Sequence, residues 1–259
     1  MSDIALKTEH LSFSYGEKTI LDDLSLMFEK QKFYAVLGPN GCGKTTLLRR
    51  LAGNQKPQSG SVLLDGGTDI FTVPRKTLAK RISFLPQHRT VPDIPVETLV
   101  SHGRFPYLGL SRRLSAEDRD IVESAMISAH VEHLAARPLP TLSGGERQRV
   151  YIAMLLAQNT DIVLLDEPTT YLDARHKFEV IELLRSMRDS GKTVIAVLHD
   201  LPLALSACDH AVLLDAGRCA ADGTPQELYD SGVLDRVFGI RLHRTEINGR
   251  AAYMELPAE

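Results

Sequence analysis

A glycine-rich stretch, GPNGCGKT at residues 38–45, has the composition and spacing of a loop that binds phosphate groups. Glycines let backbone N–H groups wrap around phosphate oxygens, a lysine reaches the terminal phosphates, and a hydroxyl binds Mg²⁺. A glycine turn that merely joins a strand to a helix would not explain Lys44 and Thr45. The stretch therefore predicts a nucleotide site, in which the side chain of Cys42 is assigned no role. The residues expected to contact the nucleotide here are Gly38, Pro39, Asn40, Gly41, Cys42, Gly43, Lys44, Thr45 and Thr46.

Two adjacent carboxylates, Asp166 and Glu167, follow the apolar run IVLL. The carboxyl end of a buried strand is where open α/β sheets bind ligands. Because side chains alternate along a strand, the two carboxylates cannot face a metal in the same way. We expect Asp166 to orient Mg²⁺ and Glu167 to polarise the attacking water.

Two more polar residues end predicted strands: Gln87 follows RISFLP, and His199 follows TVIAVL. Gln87 could reach the metal or the water, and His199 could hydrogen-bond the terminal phosphate. On its own, each is better explained as a satisfied polar group at a strand terminus. Because the same chain also contains a phosphate loop and two strand-end carboxylates, the catalytic interpretation of Gln87 and His199 is favoured.

A second pair of glycines lies in LPTLSGGERQRV, residues 139–150, directly before a predicted helix. The N-terminus of a helix presents free N–H groups to an anion. A flexible linker would explain neither this position nor the charged ERQR that follows. One chain thus carries two phosphate-binding devices for a single nucleotide.

The strand patterns place these residues in an α/β fold. Alternation in IALKTEHLSFSYG, TILDDLSLMF and GSVLLDG predicts an antiparallel sheet with one solvated face. The runs FYAVL, DIVLLD, TVIAVLHD and HAVLLD are apolar on both faces, which indicates parallel strands covered by helices. Residues 173–189 have a helical pattern that Gly191 is expected to cap.

Residues 88–140 interrupt the winding of strands and helices with two or three predicted helices and no convincing strand. One helix begins at the capping pattern Ser115 to Asp118. We interpret this stretch as a helical subdomain inserted in a single domain of residues 1–259.

The C-terminal stretch HRTEINGRAAYMEL predicts a hairpin that turns at Asn248–Gly249. The segment from about residue 225 onward could regulate the protein or complete its fold. The sequence does not separate these two interpretations.

Composition restricts the partners. Lys plus Arg number 30 against 33 Asp plus Glu, and the resulting net charge of −3 gives no reason to expect nucleic acid. The sequence contains neither a secretory pattern nor an apolar run near the ~18 residues of a membrane helix. Three cysteines lack the spacing of a metal site and are interpreted as free thiols. We expect a soluble cytoplasmic protein.

The ordered series GPNGCGKTT, LPQ, LSGGERQRV, IVLLDEPTTYLD and VLHD resembles the ATPase subunits of ATP-binding cassette (ABC) transporters over almost the whole chain. The resemblance implies an α/β P-loop NTPase of ABC type, whose mixed sheet has a RecA-like core, an N-terminal antiparallel β subdomain and an inserted helical subdomain. ATP and Mg²⁺ are the implied cofactors. The implied roles are adenine stacking by Tyr15, metal binding by Thr45, Gln87 and Asp166, base catalysis by Glu167 and γ-phosphate sensing by His199. Apart from the family, Tyr15 is equally well explained as a half-buried strand tyrosine.

In that family the LSGGERQ motif binds the ATP that the phosphate loop of an opposing subunit holds, which explains the two devices in one chain. The resemblance implies a homodimer in which Ser143, Gly144 and Gly145 reach a γ-phosphate across the interface. Asp173 in YLDAR would lie in the loop that crosses it. The dimer would sit on the cytoplasmic side of the cell membrane, bound to integral membrane permease subunits and served indirectly by a substrate-binding protein.

The stretch VSHGRFPYLG and the acidic helix after it resemble importers of iron–siderophore complexes, haem and cobalamin. Siderophore is the first expectation and haem the second. Four residues, Phe105, Pro106, Tyr107 and Leu108, either form a surface for a permease helix or pack within the subdomain. The alternative is a soluble ABC-type ATPase that acts on DNA or ribosomes, which would need a long coiled coil or tandem cassettes.

Overall fold

A computed structural model of the chain describes residues 3–109 and 113–257. The smaller of its two main sheets is antiparallel, with strand order β2-β1-β4-β5. Its strands are β1 (Ile4–Tyr15), β2 (Lys18–Glu29), β4 (Ser59–Leu64) and β5 (Thr68–Asp69). Leu24, Leu26 and Phe28 of β2 are buried while the residues between them are exposed. The predicted sheet with one solvated face is therefore confirmed.

The larger sheet has the order β10-β9-β3-β8-β7-β6. Its strands are β3 (Phe33–Leu37), β6 (Ile82–Leu85), β7 (Ile162–Asp166), β8 (Thr193–Val197), β9 (His210–Asp215) and β10 (Arg218–Gly223). Neighbouring strands are parallel except β9 and β10. Every residue of β3, β7 and β8 is buried. The predicted mixed sheet with parallel central strands is confirmed.

Helices and the small sheet cover opposite faces of the larger sheet. The helices outside residues 88–158 are α1 (Lys44–Leu51), α2 (Arg75–Leu78), α6 (Ala174–Asp189), α7 (Leu201–Ala207), α8 (Pro225–Asp230) and α9 (Val233–Phe238). On β3, Phe33 and Leu37 pack with α6 and α7, whereas Tyr34 and Val36 pack with α1 and the antiparallel sheet. Helix α6 ends at Asp189, and the next residues turn through Ser190 before the predicted cap at Gly191.

The helical layer contains α3 (Val96–Ser101), α4 (Ala116–Ser128) and α5 (Gly144–Gln158), which share one apolar core. The capping box of Ser115 and Asp118 at the start of α4 is present as predicted. Helix α5 lies beyond residue 140 but packs on α3 and α4. Residues 110–112 of the predicted insertion lie outside the described residues, and the domain division stays a prediction.

Strands β11 (Ile240–Ile247) and β12 (Arg250–Pro257) form the predicted hairpin. Its turn has positive φ at both central residues, 52° at Asn248 and 74° at Gly249, as a tight two-residue turn requires. Leu242 and Tyr253 are buried in the core that contains α7. The C-terminal segment thus contributes to the core of the fold.

None of the helices within residues 3–109 and 113–257 has the length and apolar character needed to cross a bilayer. The three cysteines, Cys42, Cys208 and Cys219, are free thiols, as predicted. Burial raises the pKa of Cys208 to about 12, so this thiol stays protonated near neutral pH.

Candidate active site

The glycine-rich loop joins β3 to α1, and its backbone requires glycine at two positions. Gly38 has φ 144°, and a Cβ there would lie 2.1 Å from the carbonyl oxygen of Leu214. Gly43 has φ 110°, and a Cβ there would lie 2.8 Å from the carbonyl oxygen of Ile20. Only glycine fits such backbone contacts, so the glycine pattern fixes the path of the loop.

Lys44, the first residue of α1, is 6 % exposed. Its Nζ donates to the carbonyl oxygens of Gly38 at 2.7 Å and Pro39 at 2.9 Å. The ammonium group therefore lies inside the loop, held by neutral acceptors. An anionic phosphate oxygen would be a stronger acceptor for it than these carbonyls.

A cleft of about 280 Å³ lies beside the loop. It brings residues from the loop and α1 together with Glu167 and His199, which come from the ends of two parallel strands. Its lining is Lys18, Ile20, Asn40, Gly41, Gly43, Lys44, Thr45, Thr46, Glu167 and His199. The predicted convergence of phosphate loop and strand ends is thus present in the fold.

Asp166 ends β7 and is 3 % exposed. Its Oδ1 accepts a hydrogen bond from Thr45 Oγ1 at 3.0 Å, whereas Oδ2 is buried and has no partner among the described residues. Burial raises the pKa of Asp166, and the Thr45 hydrogen bond opposes that shift. A buried carboxylate oxygen without a partner, next to a hydroxyl, fits a hard divalent cation such as Mg²⁺.

Glu167 turns into the cleft because its backbone leaves the strand with φ 53°. Three side chains contact its carboxylate. Gln87 Nε2 donates to Oε2 at 2.5 Å, Thr170 Oγ1 donates to Oε2 at 2.9 Å, and His199 Nε2 lies 2.5 Å from Oε1. Thr170 was missed in the sequence, although its position three residues after Glu167 in a turn is a usable signal. The cluster fixes the orientation of one carboxylate at the edge of the phosphate cleft.

Tyr15, at the end of β1, does not line this cleft. The residue is 47 % exposed, and its ring packs edge-on against Phe13, with the centroids 4.9 Å apart and the planes at 84°. Much of its ring surface is therefore open to a ligand. This exposure favours the stacking role over the half-buried alternative.

Ser143 caps α5 through a reciprocal box with Glu146. Its Oγ donates to Glu146 Oε2 at 2.8 Å and accepts from the Glu146 N–H at 3.3 Å. The Ser143 backbone N–H also donates to Glu146 Oε2 at 2.8 Å, and this bond together with the hydroxyl bond holds the pKa of Glu146 below its usual range. Neither Ser143 nor the following Gly144 and Gly145 line the cleft beside Lys44. The two predicted phosphate-binding segments therefore do not line one common cleft within a single chain.

Asp173 caps α6, and its Oδ1 accepts from the His176 N–H at 2.9 Å and lies 2.7 Å from His176 Nδ1. The imidazole packs on Gly145, where an added Cβ would lie 2.2 Å from its Cδ2. His176 therefore links the predicted interface loop to the glycine pair before α5. Sequence reasoning missed this residue, and the N-cap spacing of three residues was its only local signal.

Residues 105–108 were expected either to form a surface for a permease helix or to pack within the helical subdomain, and the structure shows residues of both kinds. Phe105 is 54 % exposed, but Leu108 is buried and the Tyr107 hydroxyl donates to the Gln158 carbonyl at 3.0 Å. The guanidinium of Arg104 lies 3.9 Å from the Tyr107 ring centroid. Leu108 and Tyr107 thus pack within the helical layer, which leaves Phe105 as the exposed aromatic residue of the cluster.

Comparison with known proteins identifies similar chains. A family model described as ABC transporter matches residues 21–170. The chain is 43 % identical over 238 residues to the ferric enterobactin transport ATP-binding protein FepC of Escherichia coli (strain K12), covering 91 % of this chain and 88 % of that protein. It is 41 % identical over 241 residues to the hemin import ATP-binding protein HmuV of Pseudomonas entomophila (strain L48), covering 91 % and 92 %.

Solved structures resemble this fold over nearly its whole length. An ABC transporter in an inward-facing conformation has a TM-score of 0.85 and 27 % identity, covering 98 % of this chain and 97 % of that chain. The cbiO1 protein of Clostridium perfringens, part of the ABC transporter complex cbiONQ, has a TM-score of 0.79 and 29 % identity, covering 90 % and 94 %. The similarity therefore extends across both sheets and the helical layer.

Proposed function

The chain belongs to the ABC transporter family, and on that premise we propose that it binds and hydrolyses ATP to power import of iron–siderophore complexes. The main support for ATP hydrolysis is the position of the Glu167 carboxylate, which three side chains orient at the cleft of the phosphate loop. The cargo is inferred from relatives whose names include ferric enterobactin and iron(3+)-hydroxamate. Haem is the second candidate because a hemin import protein is 41 % identical. None of these relatives supports an ATPase that acts on DNA or ribosomes.

ATP and Mg²⁺ would occupy the cleft beside the loop. Thr45 and Asp166 offer the hydroxyl and carboxylate oxygens for Mg²⁺, and Gln87 is the third expected ligand. When bound, Mg²⁺ neutralises charge on the β- and γ-phosphates. Lys44 would donate to the same phosphates, and the loop N–H groups would surround them.

Glu167 would accept a proton from the attacking water. Gln87, Thr170 and His199 all donate to, or lie within hydrogen-bond distance of, its carboxylate and so restrict its rotation. His199 would also hydrogen-bond the γ-phosphate, so that its contact with Glu167 changes when the phosphate leaves. The positive φ of Glu167 is what directs this side chain away from the path of β7.

A second copy of the chain would complete each site. Ser143, Gly144 and Gly145 would approach the γ-phosphate held by the partner copy, and Asp173 would lie in the interface. In the single chain, the hydroxyl proton of Ser143 is directed at Glu146. A phosphate contact by this hydroxyl would require it to rotate away from Glu146, while the Gly144 and Gly145 N–H groups remain available at the helix start.

The homodimer would bind permease subunits at the cytoplasmic face of the membrane, and a substrate-binding protein would deliver cargo to them. Phe105, which is 54 % exposed in the helical layer, would contact a permease helix.

The test is purification of the tagged chain from its own host in mild detergent, followed by mass spectrometry of what stays bound. The purified complex is then reconstituted with the substrate-binding protein encoded for that permease. We expect a permease of many helices, and ATP-dependent uptake of a ferric siderophore but not of haem or cobalamin. Uptake of haem or cobalamin instead of a ferric siderophore would refute the proposed cargo but not the transport role. Recovery of only ribosomal or DNA-bound proteins would refute the transport role itself.

A further inference from the structure

Arg50, on the last turn of α1, is fully buried, with 0 % of its surface exposed. A buried arginine usually pairs with a carboxylate, because an isolated charge in the interior is costly. Here Nη1 donates to the neutral oxygen Oε1 of Gln55 at 2.6 Å, while Nε and Nη2 have no hydrogen-bond partner in the described part of the chain. A residue that only filled space at this position would be apolar. The charge therefore calls for an explanation beyond packing.

The guanidinium group belongs to a closed cluster of four side chains. Its Cζ lies 3.4 Å from the centroid of the Phe13 ring. Phe13 contacts Tyr15 edge to face, with centroids 4.9 Å apart. The Tyr15 hydroxyl and Arg50 Nη1 both donate to Gln55 Oε1, at 3.5 Å and 2.6 Å. Arg50 thus supports Tyr15 from two directions, through Phe13 and through Gln55.

Helix α1 connects this cluster to the phosphate loop. Lys44 stands at its first residue and Arg50 six residues later, which corresponds to a rise of about 9 Å along a rigid helix. One helix therefore carries the phosphate contacts at one end and the support of Tyr15 at the other. Their separation is fixed by the helix and not by a flexible loop.

We propose that Arg50 is a positioning residue that holds the Tyr15 ring as the platform for the nucleotide base, at a fixed distance from the phosphate loop. This inference rests on the proposed function, in which Tyr15 stacks on adenine. A cation over an aromatic face is attracted to the ring, and this attraction holds Phe13 against Tyr15. The buried charge of Arg50, which lacks a carboxylate partner, thus makes the position of the Tyr15 ring more rigid.

The test is Arg50→Met, which keeps an unbranched apolar stem in the interior and removes the planar charged group. Equilibrium binding of Mg-ATP and of Mg-tripolyphosphate is measured, since tripolyphosphate has the phosphates but no base. We expect ATP affinity to fall roughly two- to tenfold, the range of one aromatic stacking contact, with tripolyphosphate affinity unchanged. The melting temperature should stay the same or rise, because a buried unpaired charge is removed.

Tyr15→Ala is the matched control and should produce the same selective loss. In the Tyr15→Ala background, Arg50→Met should have no further effect on ATP affinity. If Arg50→Met folds poorly, Phe13→Leu tests the same support of Tyr15. This variant should also lower the affinity for Mg-ATP and leave that for Mg-tripolyphosphate unchanged.

Equal losses of ATP and tripolyphosphate affinity in Arg50→Met would mean a structural role and overturn the inference. A selective loss in Tyr15→Ala with none in Arg50→Met or Phe13→Leu would overturn the inference and leave the adenine role of Tyr15 standing. No selective loss in Tyr15→Ala would refute that role and the inference together.

Discussion

Replacement of Gly145 by alanine should damage the fold at the start of α5, whereas the same change at Gly144 should not. A Cβ at Gly145 would lie 2.2 Å from His176 Cδ2, 2.5 Å from Cγ and 2.7 Å from Nε2, but at Gly144 it would meet nothing within 4 Å. Carbon atoms pack at about 3.5–4.0 Å, so the imidazole must move by more than an ångström. Moving it strains the 2.7 Å contact between His176 Nδ1 and Asp173 Oδ1.

Overpacking of this kind costs about 1–3 kcal/mol of unfolding free energy. For a chain of this size, each kcal/mol lowers the melting temperature by about 2–4 °C, so the expected fall is about 2–12 °C. Differential scanning calorimetry of both alanine variants measures it. In the His176→Ala background, Gly145→Ala should cost much less, because the ring it meets is gone. Equal melting temperatures for Gly144→Ala and Gly145→Ala would refute the contact on which this reasoning depends.

Two further perturbations address the phosphate loop and the helical layer. Lys44→Ala should lose most ATP affinity as well as turnover, because a charge-assisted contact to the phosphates is removed; ATP affinity equal to that of the wild type, measured by equilibrium dialysis, would contradict this role. Hydrogen bonds from Ser115 and the guanidinium of Arg104 hold the pKa of Asp118 below its ordinary value of 3.8. This carboxylate therefore stabilises the fold fully above about pH 4, and the stabilisation is lost as the pH falls through the lowered pKa. Asp118→Asn should lower the melting temperature at pH 7, and the difference from the wild type should shrink as the pH is lowered below 3.8; a difference that does not shrink with falling pH would contradict the assignment.

Most strand positions, though not the order of the strands in each sheet, follow from residue patterns, because the patterns have a local physical cause. Strands β3, β7 and β8 are apolar on both faces since helices or a second sheet cover each face. The Asn248–Gly249 turn is predictable because both residues tolerate positive φ. The two-residue strand β5 and the four-residue helix α2 were not predicted, since neither is long enough to display a period.

The site shows a sharper division between local and non-local information. The phosphate loop and the strand-end carboxylates are contiguous motifs, so the sequence reveals them. The left-handed backbone of Glu167 and the packing of His176 on Gly145 depend on contacts between distant segments. Arginine is rarely buried, so nothing in the local pattern of α1 indicates that Arg50 lies in the interior. These features could be identified only from the folded structure, because they depend on contacts between residues far apart in the sequence.

The measurement that tests the shared-site account most directly is analytical ultracentrifugation of Glu167→Gln with saturating Mg-ATP. The amide that replaces the carboxylate cannot accept the proton of the water, so hydrolysis should nearly cease while ATP stays bound, and the variant should sediment as a dimer. Adding Ser143→Arg should return it to a monomer that still binds ATP, because a bulky residue then stands at the start of α5. A monomer for Glu167→Gln with ATP bound, or a dimer that persists with Ser143→Arg, would contradict the account.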